Sequence, residues 1–514
     1  MSEPTCLSID DLPPEVLQMV FDLLPLKDRK PAALVNMKWH QLLRANRFIS
    51  RTALKVCAST LDSDWALEAM KRPYRRVIIS SDRVEHGPQW ISFRDRLQKL
   101  ITSDVIQESV QSMIVIMSAR AVSEVFDQSE TIWFTKLEQV TYSPGTTKLI
   151  DEDVVPQINV YAPNLNRLKI DCLNPSCVEF IRIVSPKLKR LILRFFDKAK
   201  LIEVMSITSF SRLRELCIYS FATPLEQEKM LSTDIGDAFE QNLGNLHMLS
   251  IRDDMNTFPY VYHVMFAAAS NLTYLNVEGI EMHPLALYAV NNITKLQVLQ
   301  LLADTTYQNW SCEFELHLPD LKVLLLSPKL MAQAGYLPKL QNFAIQNHSV
   351  HIGLLDEYAN EALATYAKLS TIQQLHLQGI VFSEETLDVV CSFRSSPRIV
   401  LEDIWDNIQV LHQIVNSYPN LKWLKLVHCR FKAEEEDPHV VGDASDDSEW
   451  ETLQQAESVG QTFEFFTLAK LEELFPNCKV EVHDSYFLKH IGYAPWRLQQ
   501  TVDEIAKNAA NDKR

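Results

Sequence analysis

Residues 163–170 read Pro163-Asn164-Leu165-Asn166-Arg167-Leu168-Lys169-Ile170, and residues 186–193 read Pro186-Lys187-Leu188-Lys189-Arg190-Leu191-Ile192-Leu193. Both are Pro-x-Leu-x-x-Leu-x-Leu. The same Leu-x-x-Leu-x-Leu pattern returns from Leu213, Leu246, Leu272, Leu296, Leu321, Leu340, Ile372 and Leu421, roughly every 25 residues. Apolar residues at alternate positions mark a half-buried strand. A proline just before it stops the preceding helix. Helical stripes lie between copies, such as Leu363, Tyr366 and Ala367, or Ile408, Leu411, Ile414 and Val415. One strand with one helix cannot bury its own apolar face, so the units must stack.

Weaker copies near Leu54, Arg76, Met113, Leu137 and Arg398, and a last one at Val480 to Val482, extend the series. About fourteen or fifteen strands at roughly 4.8 Å spacing are expected. The pattern resembles leucine-rich repeats. The resemblance implies an α/β solenoid, a leucine-rich-repeat horseshoe whose inner face binds a partner. The family's Asn or Cys after the strand is kept only at Cys429, while Ile280 and Ile380 replace it elsewhere. The turns are therefore expected to be packed by apolar groups.

Residues flanking the second leucine point away from the core. They include Arg167, Lys169, Arg190 and Arg194, then Tyr219, Arg252, Tyr274, Asn276 and Glu278. Val298, Gln300, Leu302, Val323, Leu325, Trp423 and Lys425 follow. A two-part protein-binding site is expected. Arg167, Lys169, Arg190 and Arg194 would meet an acidic segment, and Val323, Leu325 and Trp423 would receive an apolar anchor. The plainer alternative is that the cations are solvated and loops cover the apolar residues.

The first forty residues follow another rule. Pro13, Pro14 and Glu15 suit the first turn of a helix. Val16, Leu17, Val20, Phe21 and Leu24 form one helical face, and Pro25 ends it. Lys27 and Asp28 are read as a turn and Pro31 as the opening of a further helix, with Leu34, Val35, Trp39, Leu42 and Leu43 on one side. So small a bundle buries little by itself. A partner or the adjoining domain should cover its apolar surface.

The residues Leu12-Pro13-x-Glu15-x-Leu17, Val20-Phe21-x-x-Leu24, Asp28 and Leu34-Val35-x-x-x-Trp39 resemble the F-box motif. Lys30 and Asn36 depart from it. The resemblance implies a three-helix F-box that docks on the Skp-type adaptor of a cullin ubiquitin ligase. Its contacts would be Leu12, Pro13, Glu15, Val16, Leu17, Val20, Phe21, Leu24, Leu34, Val35 and Trp39. The chain would then be a substrate receptor in an SCF complex, without a catalytic site. The alternative is a repeat scaffold whose N-terminal helices merely cap it.

Composition narrows the field. The net charge of −16 disfavours nucleic acid and anionic membranes as main partners. Only 11 glycines occur, and no Gly-x-Gly-x-x-Gly or Gly-x-x-x-x-Gly-Lys loop is present. Nine dispersed cysteines without a Cys-x-x-Cys pair argue against a disulfide framework or structural zinc. No cofactor or metal is expected. Met1-Ser2-Glu3-Pro4-Thr5 lacks a secretion pattern, so cytoplasm and/or nucleus is the expected location. The expected domains are the F-box at 1–48, the repeat solenoid at 49–490 with an acidic insertion at 432–460, and a C-terminal tail at 491–514.

Overall fold

The computed structural model describes residues 9, 12–24, 26–43, 52–61, 72–81, 85, 87–126, 131–143, 160–171, 175–195, 198–207, 209–220, 239–253, 262–282, 284–306, 314–347, 353–355, 357–432, 471 and 475–483. The acidic insertion beyond residue 432 and the tail from 491 lie outside the described residues. The chain divides into two compact units, Met1–Ile293 and Thr294–Arg514.

The first unit opens with three helices: α1 (Pro14–Leu23), α2 (Leu26–Ala32) and α3 (Met37–Leu43). Nine ladder strands follow. They are β1 (Ala53–Val56), β2 (Arg76–Ser80), β3 (Ser112–Ile116), β4 (Gln139–Ser143) and β5 (Arg167–Ile170). Then come β6 (Arg190–Phe195), β7 (Glu215–Ser220), β8 (Met248–Asp253) and β9 (Tyr274–Met282). Each pairs in parallel with its predecessor in the chain. Register stacks the second leucines of successive copies, so Leu168, Leu191, Leu216, Leu249 and Leu275 form one buried row. A buried leucine contributes about 1.5–3 kcal/mol, and only the stacked neighbour makes that burial possible.

The second unit repeats the scheme with seven ladder strands. These are β10 (Val298–Thr306), β11 (Val323–Leu326), β12 (Asn342–Gln346), β13 (Gln374–Gln378), β14 (Arg398–Glu402), β15 (Trp423–Val427) and β16 (Lys479–His483). All are parallel and paired in chain order. Helices return between several of them, as at Glu357–Ala367, Glu384–Cys391 and Ile408–Ser417. The expected stripes bury Leu363 and Tyr366, and Ile408, Leu411 and Ile414. Phe343 takes a leucine's place in the core row. Its ring stacks on Tyr366 at 4.2 Å and lies parallel to Phe393 at 6.2 Å. Sixteen ladder strands are thus described, slightly more than the fourteen or fifteen expected, and each copy read in the sequence supplies one. The fold is an α/β solenoid.

The turns after the strands are closed in two ways. Ile380 and Ile404 are buried there, as expected of apolar packing. Cys429 keeps the family's polar role, its thiol donating to Leu401 O at 3.2 Å. Gly379, Asp403 and His428 each follow a strand directly and take positive φ of 64°, 52° and 53°. Glycine suits that conformation, whereas Asp403 and His428 hold it at a steric cost.

Ser383 starts the helix Glu384–Cys391, its hydroxyl accepting from Thr386 N at 3.1 Å. Ser383→Ala should lower stability by about 1 kcal/mol, read as a lower denaturant midpoint at unchanged slope.

Candidate functional site

The N-terminal helices carry a core of their own. Leu17 and Phe21 are fully buried, packed by Leu12, Leu24, Trp39, Leu42 and Leu43. The Phe21 and Trp39 rings meet edge to face at 5.1 Å. Arg29 ties the α1–α2 corner, donating from Nε to Leu24 O at 2.9 Å and from Nη2 to Asp22 O at 3.1 Å. Lys38 Nζ reaches back to Leu12 O at 3.0 Å. Asn36, a departure from the motif, caps α3 by accepting from Trp39 N at 2.8 Å.

One sequence expectation is corrected. Lys27 and Asp28 belong to α2, and Pro31 lies inside it rather than opening a helix. Pro31 is the penultimate residue, so its missing N–H is lost only where α2 gives way to a turn, closed by Leu34 N to Pro31 O and Val35 N to Ala32 O. Leu34 and Val35 sit on that turn and not on α3.

This arrangement divides the expected adaptor contacts. Leu17 and Phe21 are internal and can act only by positioning the others. Leu12, Val20, Leu24 and Trp39 are half-buried, while Pro13 and Glu15 are exposed. Val16, Leu34 and Val35 are open to solvent, Leu34 at 83% and Val35 at 60%. Three more large apolar side chains are equally open, Met19, Leu23 and Met37. The sequence reading missed these three. Leu23 and Met37 stand at the helix ends, where an apolar residue no longer follows the buried stripe.

On the first unit's ladder face, Arg167 is exposed and Lys169 half-buried, alternating with buried Leu168 and Ile170. The expected cations are mostly matched by acids. Arg190 lies 3.2 Å from Glu215, and Arg194 and Lys169 lie 3.6 and 3.5 Å from Asp171. Arg194 also covers the Tyr219 ring at 5.3 Å. Arg167 forms no ion pair among the described residues, and register sets it beside Arg190. Two adjacent guanidinium groups repel each other. Of the four expected cations Arg167 is therefore the one without an acid beside it, while Lys169 and Arg194 share the single carboxylate of Asp171.

Farther along, the face closes. Cys217, Ser250 and Asn276 are buried in one row, and burial pushes the Cys217 thiol up to about 11. Asn276 Nδ2 donates to Ser250 Oγ and to Glu278 Oε1, both at 3.2 Å. Glu278 faces Arg252 at 4.0 Å. In the second unit Val323, Leu325 and Trp423 are half-buried on the corresponding face, and Gln300 and Leu302 are fully buried. Among the described residues, no helix is long and apolar enough to cross a membrane.

Residues 9–53 match the family model described as F-box-like. No curated protein matches the chain in sequence. Three solved structures are similar in part. One is a Bacteroides fragilis protein, 12% identical, covering 60% of this chain and 69% of that one, TM-score 0.26. Another is the yeast Rad7 and Elc1 complex, 13% identical, covering 84% and 91%, TM-score 0.36. The third is the mouse RP105/MD-1 complex, 11% identical, covering 63% of each, TM-score 0.25.

Proposed function

We propose that this chain, which carries an F-box-like domain ahead of leucine-rich-repeat-type ladders, is the substrate-recognition subunit of a Skp–cullin–F-box ubiquitin ligase. One observation carries the reading. A module with a complete small core still leaves Val16, Met19, Leu23, Leu34, Val35 and Met37 exposed. So many open apolar side chains on a few short helices fit a surface that a partner covers. If the helices served only to cap the ladder, these residues would be turned onto it and buried.

In this role the chain makes and breaks no bonds. It holds a substrate near a charged ubiquitin carrier, and effective concentration does the rest. The expected setting is the cytoplasm and/or nucleus. Mixing the full-length chain with a purified Skp-type adaptor should give a stoichiometric complex at micromolar concentration, by light scattering. A chain that stays alone under those conditions ends the proposal.

Substrate is received on the ladder face. Arg167 meets an acidic segment, with Lys169, Arg190 and Arg194 partly neutralised beside it. Val323, Leu325 and Trp423 are the apolar contacts of the second unit. Arg167→Glu with Arg190→Glu should weaken substrate capture by about tenfold or more and leave adaptor affinity unchanged. Unaltered capture would remove the acidic-segment half of the proposal.

A further inference from the structure

Gln300 occupies the middle of β10. Leu299 and Leu301 on either side are fully buried in the core row. Alternation sets Gln300 on the opposite face, with Val298 and Leu302 as its same-face neighbours along the strand. Register places Leu325 beside it on β11 and Val323 beside Val298. The glutamine is only 1% exposed, and among the described residues neither its amide nitrogen nor its carbonyl oxygen has a hydrogen-bond partner. Gln378, a buried glutamine three rungs on, donates instead to Asp403 Oδ2 at 3.2 Å.

A primary amide buried with every bond unmade weakens the free chain, and a leucine there would not. The same-face positions nearest Gln300 hold no charged side chain: Val298 and Leu302 on β10, and Val323 and Leu325 on β11. A carboxylate or ammonium ligand would lose its water there without gaining a counter-charge. A purely apolar ligand would leave the amide as unpaired as before. A peptide unit meets both requirements. Its N–H reaches the glutamine oxygen, its C=O accepts from the glutamine nitrogen, and its side chain packs on the half-covered Val323 and Leu325.

We infer that Gln300 is the polar reader of a peptide-binding subsite on the second unit, pairing with one main-chain amide of an extended segment whose apolar side chain seats on Val298, Val323 and Leu325. The inference rests on reading the ladder face as the substrate surface. It identifies the ligand as the main chain of a protein segment. Gln300 has three side-chain torsions and turns to the ligand as the segment arrives.

The test uses a random peptide library displayed on phage and selected against the full-length chain. Selected peptides are then synthesised plain and with single main-chain N-methyl groups. Plain peptides should bind the wild type and lose about tenfold or more on Gln300→Leu. N-methylation at one position should cost a similar factor. The melting midpoint of Gln300→Leu should stay level or rise by about 2 °C. Leu325→Asp should also abolish binding. Peptides that bind Gln300→Leu as well as wild type, a lowered midpoint for that variant, or no enrichment at all would each overturn the inference. Adaptor binding by the same preparations separates the two proposals. Its loss in the wild type sinks the receptor reading and leaves the peptide result intact.

Discussion

Replacing Leu34 and Val35 together by aspartate should reduce affinity for a Skp-type adaptor by about a hundredfold or more and leave the melting curve unchanged. Both side chains project from the turn after α2, largely open to solvent. Neither belongs to the core built on Leu17 and Phe21. Substitution at such positions scarcely touches folding. In a complex the same residues would lose their water, and an aspartate in their place would be buried without a counter-charge. Calorimetric titration of adaptor into the double variant, alongside a thermal scan, checks both halves. Adaptor binding at wild-type strength would show that this turn lies outside the interface.

Phe21→Ala should also abolish adaptor binding, by a different route. The ring is buried and set against Trp39. Truncating a buried phenylalanine costs about 3–5 kcal/mol. A bundle this small has only about 3–5 kcal/mol to lose. The three helices should therefore unfold locally while the ladders remain, since Leu17 and Phe21 form a cluster separate from the ladder core. Hydrogen exchange should show α1 and α3 unprotected and β5 to β9 at wild-type protection. Saturating adaptor should restore part of that protection by mass action. Protection of α1 equal to wild type would place the module's stability elsewhere.

The contrast between these variants marks where sequence reading stops. Pro13, Pro14 and Glu15 announce the start of α1 because proline and an acid have distinct uses in a first turn. The stripe Val16, Leu17, Val20, Phe21, Leu24 announces an apolar face. It does not tell Leu17, which is internal, from Val16, which is open, because a bundle of three short helices cannot cover a full stripe. Pro31 misled for a local reason. A proline that could open a helix can also sit near the end of a short one, where it forfeits a single N–H bond.

In the ladders, the alternating leucines were legible because their period is that of a strand and each copy predicts its neighbour. Charge pairing was not. Arg194 and Lys169 share the one carboxylate of Asp171, and Arg190 meets Glu215. All but the Lys169–Asp171 pair join different repeats, and they emerge only once register aligns the strands. The closure of the face over Asn276 and Gln300 was likewise illegible, since the pattern says which way a side chain points and not what covers it. Positive φ at Asp403 and His428 had no glycine to signal it.

Pairing in chain order has a mechanical consequence. Within each unit the ladder strands pair in chain order, and among the described residues no pairing clasps a unit's first strand to its last. Tension applied in an optical trap to handles at Val298 and His483 would load one rung at a time. The extension trace should then climb as a staircase of small rips, whose heights track the length of chain between successive strands.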